Sequence, residues 1–143
     1  MEPAGSELPG RQANEVVARI FEGAGWRVKR EPDNRSLRAD LLVAKKNRVY
    51  VVEVKIASEG RPDRVIALLS QAIIQASAYS RNVSGAKPLA VVWIRAAARS
   101  LIKKVDEFCL QFAPDVAVGV VSANGYQHFI GPDLDALNVR PSE

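Results

Sequence analysis

The sequence has one cysteine, Cys109, and one histidine, His128, among its 143 residues. A lone cysteine excludes an intrachain disulfide and any cysteine-rich zinc site. A lone histidine excludes a zinc site built from several imidazoles. No apolar run is long enough to cross a bilayer, and neither a secretory leader nor an internal repeat is legible. The expectation is a chain in a reducing, cytoplasmic setting with no membrane partner. Cys109 falls on the apolar stripe of an expected helix and reads as a small buried hydrophobe. His128 reads as a strand or loop residue.

What is present is ordinary for a globular domain: 48% apolar and 25% charged residues. The length suits one domain with a core of its own. The net charge of +4 leans toward an acidic partner. The excess is uneven, because residues 27–48 hold eight Lys/Arg against three Asp/Glu. Such a stretch is either a solvated basic face or a rim that tracks phosphates. What it adjoins favours the rim.

It adjoins a hairpin. Residues 41–44 form a short apolar run, and residues 49–56 are β-branched and apolar apart from Glu53 and Lys55. Lys45-Lys46-Asn47-Arg48 between them is a turn signal, with Asn47 suited to the positive φ of a tight turn. With Lys46-Asn47 as a two-residue loop, Lys45 pairs with Arg48, and Asp40 then lies opposite Glu53. Directly opposed side chains stand about 5 Å apart at Cβ. Lys55, two residues beyond Glu53, points to the same face. Two facing carboxylates repel, and burying them costs more unless something neutralises them. A hard divalent cation does so, binding through one or two carboxylates together with substrate phosphates. Lys55 beside it can position water or stabilise charge on a phosphate. This is the equipment of metal-assisted phosphodiester hydrolysis. The alternative, an ion-pair cluster at a sheet edge, leaves unexplained why charges interrupt the most apolar strand in the chain.

The remaining elements follow from pattern. Residues 1–11 carry Pro and Gly without periodicity and read as a flexible leader. A helix is expected over residues 12–23, then a strand over 26–31. A second helix, residues 63–80, buries Val65, Leu68, Leu69, Ala72, Ile73 and Ala76. Gln71, Gln75 and Tyr79, spaced by four, run along the border of that face, where a helix meets a cleft. A buried strand over residues 89–94 follows, with a helix over 96–112 whose apolar face includes Phe108, Cys109 and Phe112. Strands over residues 116–121 and 126–130, joined by an Asn124-Gly125 turn, complete a domain spanning residues 12–131. Residues 132–143 read as a tail. The order α-β-β-β-α-β-α-β-β, with apolar strands covered on both sides, indicates an α/β three-layer α-β-α sandwich around a mixed sheet.

Asp40 followed by Glu53-Val54-Lys55 resembles the PD-(D/E)XK nuclease superfamily, the restriction-endonuclease-like fold, with Ala39 standing where the family pattern has Pro. Gln75-Ala76-Ser77-Ala78-Tyr79 resembles the Gln-x-x-x-Tyr signature of its RecB-like, Holliday-junction-resolvase-like branch. The resemblance spans residues 12–94. It implies that Asp40, Glu53 and the Val54 carbonyl bind Mg²⁺ or Mn²⁺, and that Lys55 orients the nucleophile. It further implies that Gln75 orders Lys55 or the DNA backbone, and that Tyr79 lies near bound DNA. In many members the first helix brings an acidic residue to the metal. Glu15 matches by position, although the helical wheel sets it opposite the apolar stripe, where a first-turn Glu also serves the helix dipole. Gln71, Arg35, Arg38, Lys45 and Lys46 are the expected nucleic-acid contacts nearest this site. The expected function is a metal-dependent nuclease acting on DNA, with a homodimer among the expected assemblies. A non-catalytic nucleic-acid or protein binding module, or an RNA-processing nuclease, remain as alternatives.

Overall fold

The computed structural model describes residues 10–30, 40–57, 62–96, 99–112 and 115–139. Their elements are α1 (Gly10–Gly23), β1 (Arg27–Arg30), β2 (Leu41–Lys45), β3 (Arg48–Ile56), α2 (Pro62–Ser80), β4 (Ala86–Ile94), α3 (Arg99–Phe112), β5 (Ala117–Ser122) and β6 (Gln127–Ile130). A short 3₁₀ turn, Asp135–Leu137, follows. The element order is the expected one. Arg35 and Arg38 lie outside the described residues.

The six strands form one sheet in sequence order, β1-β2-β3-β4-β5-β6. β1, β2 and β3 are antiparallel to one another. β3, β4 and β5 are parallel, and β6 returns antiparallel. Short turns at residues 46–47 and 123–126 allow the antiparallel β2-β3 and β5-β6 pairs, whereas α2 and α3 supply the long crossovers that parallel strands require. Strand alternation then gives the sheet two apolar faces. Leu41, Val43, Tyr50, Val52, Leu89, Val91, Trp93 and Val121 pack with α1 through Ala13, Val17, Ala18 and Phe21. Ala90, Val92, Ile94, Val118 and Val120 pack with α2 and α3 through Val65, Leu69, Ala72, Leu101, Val105 and Cys109. The result is an α/β three-layer sandwich with a mixed sheet, the arrangement of the restriction-endonuclease-like fold. No helix among the described residues is long and apolar enough to cross a membrane.

Three details differ from expectation. The left-handed residue of the hairpin turn is Lys46, at φ 55°, rather than Asn47. The first loop residue of such a turn must take positive φ to match the strand twist. Phe112, placed on the apolar face of its helix, is 72% exposed; it is the final residue of α3, beyond Cys109, the last buried residue of that helix. Residues 132–139 carry apolar side chains into the core, with Leu134 and Leu137 buried on the α1 side. Asn138 Oδ1 accepts from the Phe129 N–H at 2.6 Å, and Gln127 and Val139 exchange backbone hydrogen bonds at 2.9 Å. Cys109 is buried as expected, and burial together with Asp106 pushes its thiol up to about 11, which leaves it a poor nucleophile. His128 lies on β6, with Nε2 2.8 Å from Asp106 Oδ1.

Candidate active site

The hairpin register decides the site. Lys45 pairs with Arg48, Val43 with Tyr50 and Leu41 with Val52, as a two-residue loop requires. β2 ends there. The Asp40 N–H still donates to the Val52 carbonyl at 3.1 Å, but beyond it the Asp40 side chain takes over from the ladder. Its Oδ2 accepts the Val54 N–H at 2.8 Å. Asp40 thus caps the unpaired edge of β3 and is aimed at the Glu53-Val54-Lys55 segment.

Glu53 is 6% exposed, and it and Ser122 are the buried polar side chains among the described residues. Burial pushes its carboxyl up to about 8, and a hydrogen bond to the Asp40 carboxyl and the Asp40 charge add to the rise. The Lys55 charge opposes it. The Glu53 carboxyl holds its proton and is hydrogen-bonded to the Asp40 carboxyl, because a second negative charge beside Asp40 is costly in a poorly solvated place. Lys55, two residues further along, is partly buried.

Alternation also sets the face. Tyr50 and Val52 turn toward α1, so Val51, Glu53 and Lys55 turn toward α2. Val51 accordingly packs against Tyr79 of α2, together with Leu42, Val83 and Ala86. Gln75, one turn before Tyr79, has its Oε1 shut away from solvent without a hydrogen-bond partner. A buried acceptor left open calls for a donor, and a lysine ammonium or a bound hydrated ligand is of that kind. Gln71 is exposed on the outer side of α2.

Glu15, Lys45 and Lys46 are not brought here. Glu15 lies on α1, on the opposite face of the sheet. Arg30 Nε and Nη2 reach its carboxylate at 2.7 and 3.1 Å, and Arg19 Nε at 3.2 Å. Arg30 also holds Glu22 at 2.7 Å. These guanidinium contacts keep the Glu15 carboxyl below its usual range. Lys45 Nζ donates to the Ala24 carbonyl at 2.9 Å, at the end of α1. It and Lys46 stand at the hairpin turn, about 17 Å along β3 from Glu53 at the usual rise per residue.

The donor set can be tested for a metal. No group of three or more His, Cys, Asp or Glu side chains placed to hold an ion occurs among the described residues. Asp40 and Glu53 are two hard oxygen donors. Val54, whose N–H serves Asp40, presents its carbonyl on the same edge of β3, because a strand residue directs both groups to one side. Two carboxylates and one carbonyl suit Mg²⁺ or Mn²⁺, which keep waters and take remaining ligands from phosphates. A cation would also replace the Glu53 proton and relieve the cost of the carboxyl pair, so the residues fit the ion.

No protein-family model matches the chain, and no curated protein matches it. Among solved structures it is similar to SfsA of Pyrococcus furiosus, solved in complex with Ca²⁺, at 18% identity and a TM-score of 0.36. The match covers 93% of this chain and 65% of that one, so the chain spans less than two thirds of that protein's length. A likeness this distant establishes neither a shared site nor a shared activity.

Proposed function

We propose that the protein is a metal-dependent nuclease that hydrolyses DNA phosphodiester bonds. The observation that carries this reading is the contact between the Asp40 carboxyl and the buried Glu53 carboxyl of β3, with Lys55 next on the same face. For stability alone this arrangement is unfavourable. It becomes useful when a divalent cation and a phosphate occupy it.

Asp40 and Glu53, joined by the Val54 carbonyl, would hold the ion. When bound, Mg²⁺ or Mn²⁺ supplies Lewis-acid polarisation of the phosphodiester and an activated water. The chain's own residues do the rest. The backbone bond from Val54 to Asp40 fixes the first carboxylate, so that no reorganisation is needed when substrate arrives. Lys55 orients the attacking water and opposes the negative charge that grows on the phosphate. Gln75, open at Oε1, fixes Lys55 or a group of the substrate. The position at the C-terminal end of parallel strand β3 is where open α/β sheets take ligands.

The test is cleavage of plasmid and single-stranded DNA, beside matched RNA, in Mg²⁺ or Mn²⁺. Asp40→Ala and Lys55→Ala are each expected to lower the rate by about a hundredfold or more, on the scale of losing one preorganised charge-stabilising group. EDTA is expected to stop the reaction. Variants that cut as fast as the parent would overturn the assignment. Binding without any cleavage would make the chain a nucleic-acid-binding module instead.

A further inference from the structure

The basic stretch between residues 27 and 48 is sorted by strand alternation onto two faces, and only one of them is open. On the α1 side, Val28 packs in the core and Arg30 is held by Glu15 and Glu22. Lys45 is bonded to Ala24, and Arg48 Nε pairs with Asp133 Oδ2 at 3.0 Å. Arg27 and Lys29 alternate the other way. Both are exposed, and neither has an ion-pair partner among the described residues.

Their place follows from register. Lys29 pairs with Leu42, Leu42 with Val51, and Val51 packs against Tyr79 of α2. Arg27 pairs with Ala44, and Ala44 with Val49. Lys29 and Arg27 therefore stand on the same sheet face as Asp40 and Glu53, in the next two rows toward the hairpin turn. α2 packs on β3 and β4, and Tyr79 in its last turn packs against Val51, as Leu42 does. Among the described residues, the β1 part of this face is left as an open shelf. With a rise of about 3.4 Å per residue and about 4.8 Å between strands, Lys29 Cα lies about 12 Å from Glu53 Cα and Arg27 Cα about 17 Å. The cation that acts on the Glu53 carboxyl is Lys55, so Arg27 and Lys29 do not serve to neutralise the carboxyl pair. They do suit a polyanion that lies across both places at once.

We infer that Arg27 and Lys29 form a backbone-binding shelf that holds successive phosphates of the DNA strand whose scissile phosphate lies at Asp40 and Glu53. This rests on the nuclease reading and adds the surface that delivers the substrate. A competing role for charges on an edge strand is to prevent edge-to-edge association of copies, and the experiment separates the two.

The parent, an Arg27→Gln/Lys29→Gln pair, a charge-keeping Arg27→Lys/Lys29→Arg pair and a Lys103→Gln/Lys104→Gln control on exposed positions of α3 are titrated into fluorescein-labelled single-stranded and duplex DNA. Binding is read by anisotropy in EDTA between roughly 50 and 300 mM salt, where each phosphate contact contributes about 0.7 to 0.9 to the slope of log K against log salt. The Arg27→Gln/Lys29→Gln pair is expected to bind about tenfold more weakly at low salt, with a slope shallower by about 1.4 to 1.8. The charge-keeping pair and the α3 control are expected to match the parent, and matching melting curves establish that the variants fold. A Gln pair with the parent's affinity and slope overturns the shelf, as does a parent that binds no DNA. Self-association of the Gln pair at unchanged DNA affinity assigns the charges to edge protection and also overturns it. Because the titration needs no metal, it separates the two readings. A parent that binds through the shelf but never cuts in Mg²⁺ loses the nuclease reading alone. A Gln pair that binds and cuts as the parent does loses the shelf alone.

Discussion

Replacing Glu53 with Gln removes one ionisable group and little else. Gln is nearly isosteric, and its amide can still donate to the Asp40 carboxylate. In the metal-free protein Glu53 is pushed up from an ordinary 4.5 to about 8. An acid whose pKa rises on folding binds its proton more tightly in the native state. Its contribution to stability is therefore fully present below about pH 4.5, falls as pH rises, and is lost once pH has passed the folded value of about 8. At 1.36 kcal/mol per unit, the loss is at most roughly 5 kcal/mol above that range, and roughly 3 kcal/mol is already gone at neutral pH. Even half of this is a large share of a typical stability of about 5–15 kcal/mol. Glu53→Gln carries no such slope. Urea unfolding of both proteins in EDTA, from about pH 5 to pH 9, is expected to show the variant gaining on the parent steadily with pH. Added Mg²⁺ or Mn²⁺ is expected to recover stability in the parent at high pH, by the mass action of an ion that binds only the native state, and to do little for the variant. Parallel pH curves for the two proteins would refute the reasoning, because they would mean that Glu53 sits no less comfortably ionised in the fold than in the unfolded chain.

Other expectations follow from particular contacts. Glu15→Ala should barely move the urea midpoint, because it removes only exposed, solvent-screened ion pairs, and should leave metal binding and cleavage unchanged; loss of metal binding, read by calorimetry, would return Glu15 to the metal site. Gly119→Ala should destabilise by about 1–3 kcal/mol, because a Cβ there would stand 2.5 Å from the Phe129 ring; an unchanged urea midpoint would mean the ring does not lie on that glycine. Leu134→Ala should cost about 2–5 kcal/mol in the same measurement, since Leu134 is fully buried; a negligible cost would detach residues 132–139 from the core.

The parts of this protein determined by sequence alone are those governed by local rules. Periodicity and turn chemistry are enough for the order of helices and strands, because each element's apolar pattern is set by its own repeat. The same holds for the pairing of Leu41 with Val52, since a two-residue loop leaves the strands one register. From that register the meeting of Asp40 and Glu53 was legible before any tertiary contact was known. Residues whose roles depend on a distant partner were not legible. Glu15 has the right position in the first helix for a metal ligand, yet Arg30, fifteen residues away, holds it on the other face of the sheet. The tail-like residues 132–139 lack periodicity, and only the packing of Leu134 and Leu137 under α1 makes them part of the core. The basic stretch reads as one block of charge. Strand alternation divides it, but which half is engaged in ion pairs and hydrogen bonds and which stays open depends on where α1 and α2 end. Lys45 and Arg48 go to Ala24 and Asp133, while Arg27 and Lys29 are left facing solvent on the same sheet face as the carboxyl pair. Local pattern says which way a side chain points. Only the assembled layers decide what it meets there.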